Sequence, residues 1–139
     1  MKKHLILLLV AGLFSMTSCS DDDDAGTPQN SIVGTWEVTA IASIAPVDPN
    51  QCDNQVSTIT FEEDNTVDST FYFESNNCEA DTATGTWQNL GSGDYVMELG
   101  NLGDLEGEVT FVNANEFTFS TVIAVEGVNI PAVFTLERQ

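Results

Sequence analysis

The chain has 139 residues, 42% hydrophobic and 9% aromatic, with 22 Asp+Glu against 3 Lys+Arg and a formal net charge of −19. That length suits one domain with a real core, and the apolar share is too high for a disordered acidic tail. Beyond Cys19 the only basic side chain is Arg138, which excludes nucleic-acid binding by phosphate neutralisation, P-loops, Schiff-base lysines, His-based triads and His-ligated zinc.

The first element is an address. Met1-Lys2-Lys3 is a positive head, and Leu5 to Phe14 is an apolar run of ten residues. A membrane-spanning helix needs about 20 residues, so this is the layout of a secretory signal peptide. Ser15-Met16-Thr17-Ser18-Cys19 resembles a bacterial lipobox, with Met16 where Leu is usual. The resemblance implies that residues 1–18 are removed and that Cys19 carries the lipid, anchoring the chain to a membrane. Acyl chains contribute about 0.8 kcal/mol per buried CH₂, enough for stable anchoring when several are present. Without the signal the chain carries 22 acids against Arg138 alone.

Residues 19–30 then form an acidic tether. Ser20, Asp21, Asp22, Asp23 and Asp24 read physically as a solvated, self-repelling spacer. The same run resembles the surface-export signal of Bacteroidetes lipoproteins, which implies an outer-membrane anchor with the domain at the cell surface. The alternative is an anchored domain facing the periplasm. Fully extended, residues 20–31 reach ~40 Å.

From residue 31 to 139 the chain reads as strands. Thr, Val, Ile and aromatic residues dominate, and the apolar period is two. Ser57, Ile59 and Phe61 share a face; so do Val67, Ser69, Phe71 and Phe73; so do Leu105, Gly107, Val109 and Phe111; so do Phe117, Phe119, Thr121, Ile123 and Val125. The expected strands are 32–44, 55–62, 66–74, 82–88, 94–99, 105–112, 116–125 and 130–137. Turn chemistry separates them at Glu63-Asp64-Asn65, Asn89 to Gly93, Gly100 to Asp104, Asn113-Ala114-Asn115 and Glu126 to Asn129. Short connections predict an all-β, antiparallel up-and-down meander of eight strands, closed into a barrel because closure removes its two edges. A two-sheet sandwich is the other arrangement.

Gly34-Thr35-Trp36 at the start of the first strand resembles the lipocalin Gly-x-Trp signature, which implies a Trp plugging the closed end beneath a basic side chain. Arg138 is the one residue able to supply that cation. Ile32 to Val38, Cys52, Thr58 to Thr66, Cys78, Gly85-Thr86-Trp87, Tyr95 and Phe134 to Arg138 extend the similarity to lipocalin-like Bacteroidetes lipoproteins. Lipocalins usually carry a helix before the last strand, and no helical pattern is visible here. With Cys19 given to the lipid, Cys52 and Cys78 remain as an even pair in loops at one end of the meander. In an oxidising envelope they are expected to form a disulfide.

Acid–base chemistry has few candidates. Glu106 and Glu108 share a strand face with glycosidase-like spacing, but that face is opposite Leu105 and Val109 and should look into solvent. Glu62-Glu63-Asp64 reads as a hairpin turn before it reads as a metal site. The expectation is a non-enzyme, monomeric, without metal or cofactor. What remains is the lumen, whose candidate lining is Trp36, Phe61, Phe71, Phe73, Trp87, Met97, Phe111, Phe119 and Phe134. The lipocalin resemblance implies a small hydrophobic ligand there. A solid core, with a structural or accessory role in the envelope, is the alternative.

Overall fold

The computed structural model describes residues 30–44, 47–125 and 127–139. The expected signal peptide, the expected lipidation site Cys19 and the expected export run Ser20 to Asp24 lie outside them. Eight strands follow: β1 (Gly34–Ser43), β2 (Thr58–Phe61), β3 (Thr66–Tyr72), β4 (Ala80–Gly91), β5 (Asp94–Glu98), β6 (Asp104–Asn113), β7 (Glu116–Val125) and β8 (Val128–Arg138). Each pairs with its sequence neighbours, and β1 pairs antiparallel with β8, from Trp36↔Arg138 to Ser43↔Ala132. The result is a closed up-and-down barrel. The only helical turns among the described residues are 3₁₀ turns at Glu74–Asn76 and Gly100–Leu102.

Alternation explains why this sequence closes on itself. One face of each strand supplies the core, including Ile59, Phe61, Val67, Phe71, Met97, Val109, Phe117, Phe119, Phe134 and Leu136. Thr and carboxylate residues take the other face. Rolling the sheet gathers the apolar faces in one interior and pairs the first strand with the last, so that every strand has two neighbours.

Three differences from the expected strands have local causes. A register shift between Val38 and Ala40 changes the inward parity of β1, so Trp36 and Val38 are followed by Ile41 as buried residues, while Ala40 and Ala42 face out. A bulge of this kind inserts an extra residue and sharpens the bend of the strand. β4 runs on to Gly91, through a second shift between Asn89 and Gly91. Val125, expected inside, is 46% exposed, because β7 has passed the rim of the core by that point.

Candidate functional site

The two ends of the barrel differ. At the closed end Trp36 is fully buried, and its indole N–H donates to the Ile32 carbonyl at 2.6 Å. The Arg138 guanidinium lies 4.1 Å from the centroid of that ring. It also donates to the carbonyls of Ser31 (2.9 Å), Val33 (3.1 Å) and Ala114 (3.3 Å). Gly34 makes this stack possible: its φ is +128°, and a Cβ there would sit 2.6 Å from the guanidinium. Trp87 closes the same end from the other side. Its indole donates to the Glu62 carbonyl at 3.0 Å, and its ring meets Phe61 edge-on at 6.0 Å.

The open end is held by the Cys52–Cys78 disulfide, which joins the β1–β2 connection to the β3–β4 connection. Beside it, Ser57 is buried, donates to the Pro49 carbonyl at 2.9 Å and accepts from the Tyr72 amide at 3.1 Å. Between β3, β4 and the two 3₁₀ turns opens a cavity of about 340 Å³, lined by Ser69, Phe71, Phe73, Ser75, Asn76, Ala80, Asp81, Ala83, Leu99 and Leu102. The gap arises because β4 pairs with β3 along Ala80 to Thr86 but meets β5 only from Trp87 onward. The turn at Gly100 bridges what β5 does not cover. Gly100 has φ +59°, and a Cβ there would run into the Ala83 methyl.

The nine lumen candidates divide between these regions. Trp36, Phe61, Met97, Phe119 and Phe134 are fully buried and fill the barrel interior. Phe111 and Trp87 are half-buried at the closed end, Phe111 packing 5.4 Å from Phe117 and Trp87 6.2 Å from Tyr95. Phe71 and Phe73 line the cavity, their rings stacked at 5.6 Å and 8°. The sequence reading passed over Asp81, Ala83, Leu99 and Leu102. Period two in β4 points to Asp81 and Ala83, since Asp81 lies directly across from Phe71. Leu99 continues the inward alternation of Tyr95 and Met97, whereas Leu102, in the turn that follows, has no such pattern.

The acidic candidates are spread apart. Glu106 and Glu108 are exposed on the outer face of β6. Glu62, Glu63 and Asp64 are exposed at the β2–β3 turn, where Asp64 accepts from the Thr66 amide (3.0 Å) and hydroxyl (2.6 Å). Those bonds favour the carboxylate and hold the Asp64 pKa below its usual value. Among the described residues no group of His, Cys, Asp and Glu is placed to hold a metal ion, and no helix is long and apolar enough to cross a membrane.

A closed eight-stranded meander with a Trp–Arg plug at one end and a cavity at the other defines the lipocalin class of barrel. A profile of the lipocalin-like domain matches residues 32–119, and the chain belongs to that family. Among solved structures the chain is similar to bovine odorant-binding protein in complex with a selenium-containing odorant, at 14% identity and TM-score 0.56, covering 86% of this chain and 78% of that one. It is also similar to aphrodisin, a sex pheromone from female hamster (16% identity, TM-score 0.53, 78% and 76% covered). A redesigned β-barrel is similar at 16% identity and TM-score 0.53, with 77% and 90% covered. No curated protein matches the chain by sequence.

Proposed function

We propose that this chain is a lipid-anchored, non-catalytic, monomeric lipocalin-like lipoprotein that takes one small hydrophobic molecule at the open end of its barrel. The observation that carries the reading is the cavity beside Phe71 and Phe73, whose volume of about 340 Å³ falls at the small end of the range for ligand pockets. Bovine odorant-binding protein, of similar fold, forms a complex with a selenium-containing odorant. Native mass spectrometry of purified protein, followed by organic extraction, should reveal a guest of small mass. A barrel that is empty in every preparation, and that no apolar probe enters, would favour the second reading, a structural or accessory envelope protein. The filled lower barrel around Trp36, Phe117 and Phe134 is the observation on that side.

The anchor in this proposal is Cys19, and the export label is Ser20 with Asp21 to Asp24, placing the domain on the cell-surface side of the outer membrane. Protease shaving of whole cells should release the domain from wild type, and replacing Asp21 to Asp24 by Ala should protect it. If shaving spares the wild type, the domain faces the periplasm.

A further inference from the structure

We infer that Ser69 is the polar contact of the open-end cavity, and that the guest is a compact alcohol or carbonyl compound rather than a carboxylate. Its oxygen meets the Ser69 hydroxyl, and its ring-sized apolar body fills the space above. This inference rests on the reading of the cavity as a ligand site and adds the chemistry of the guest. Ser69 is 3% exposed, lines the cavity, and has no hydrogen-bond partner among the described residues. The other buried side chains with hydroxyls are bonded: Ser57 to the Pro49 carbonyl, Thr121 to the Glu106 carbonyl, and Tyr95 with the Asn89 amide. Buried polar groups are nearly always hydrogen-bonded, so an unpaired hydroxyl in a cavity wall marks where a ligand atom completes the bond.

Position sets the size and character of the guest. β3 runs from the closed end toward the mouth, so Ser69 lies one inward position deeper than Phe71 and two deeper than Phe73. Beneath it Val67 is fully buried, and Phe61 and Met97 fill the barrel. The hydroxyl therefore sits on a closed floor, and a long chain has no path down the axis. Its cross-strand neighbours are Ile59 and Ala83. A carboxylate on that floor would exchange its hydration for a single hydroxyl among apolar side chains, at high cost. A neutral oxygen accepts the Ser69 O–H with far less to give up. The apolar body rests against the stacked rings of Phe71 and Phe73 and against Leu99 and Leu102.

The test is a cycle of two proteins and two probes, read by isothermal titration calorimetry on the purified full chain. The probes are 2-phenylethanol and propylbenzene, which match in size and differ by a hydroxyl against a methyl. Comparing their affinity ratio between wild type and Ser69→Ala cancels the difference in probe hydration. The alcohol-to-propylbenzene ratio should fall about fivefold in Ser69→Ala. The urea midpoint of that variant without ligand should not fall, since the hydroxyl has no protein partner to lose. Thr70→Ala, which removes a hydroxyl from the outer face of the same strand, should leave the ratio intact. On the wild type, 3-phenylpropionate should bind more weakly than the alcohol. A ratio unchanged in Ser69→Ala, or lowered equally in Thr70→Ala, overturns the inference while leaving the cavity as a ligand site. So does a propionate that binds as tightly as the alcohol. A Ser69→Ala chain that unfolds at lower urea shows the hydroxyl serving the fold, which overturns it too. If no probe binds the wild type, the reading of the cavity itself fails.

Discussion

Single side chains set the character of each end. Arg138 acts on Trp36 through its π face and on three carbonyls through N–H donors. Arg138→Met keeps the apolar stem and should cost about 2–4 kcal/mol in urea unfolding. Arg138→Lys should restore only part, since a point charge cannot span the same carbonyls. Gly34→Ala should be comparably damaging, because positive φ and the guanidinium both exclude a Cβ. At Tyr95, burial pushes the phenol pKa up, partly offset by the Asn89 amide that donates to its oxygen at 2.9 Å. Below the ordinary phenol pKa of about 10 both folded and unfolded states hold the proton. Above it the unfolded chain releases the proton first, so stability falls as pH rises through that window. Tyr95→Phe should flatten the alkaline limb of a stability–pH curve measured from about pH 9 to 12.

Elements bring these side chains into register, and here the sequence was informative to different degrees. Strand positions and inward faces in β2, β3, β6 and most of β7 follow from alternation alone. The β1 shift does not, since Thr39 and Ala40 give no sign of which residue is extra; only the partner strand β8 settles it. The ribbon β5–β6 carries a cost that its sequence does show. Asp94 stands opposite Glu108, and Glu98 opposite Asp104, so like charges face each other across the pair. Glu108→Lys should turn one repulsion into an attraction and raise stability by about 0.5–1 kcal/mol, an increment that fades in high salt. The Cys52–Cys78 bridge closes a loop with a separation of 26 residues. Replacing both by Ser should lower stability by about 3 kcal/mol in the chain-entropy picture, with m-values reporting the looser unfolded state.

At the scale of the whole molecule, closure was legible because a meander of this length otherwise leaves edges, and Gly34-Thr35-Trp36 with Arg138 marked which end is shut. The cavity was less legible. Nine aromatic or Met positions looked equivalent as lumen lining, yet of these it is Phe71 and Phe73 that line the cavity beside β4. The difference lies in where β4 leaves β5, a three-dimensional divergence that no single strand records. Closure has one more effect. Because β1 begins and β8 ends at the plugged end, Asn30 and Gln139 emerge side by side there, with Arg138 binding Ser31 and the Gln139 amide donating to Thr35. Any leash attached ahead of Asn30 therefore moors the barrel by its base. The mouth, with its disulfide rim, then points away from the mooring and toward whatever drifts past.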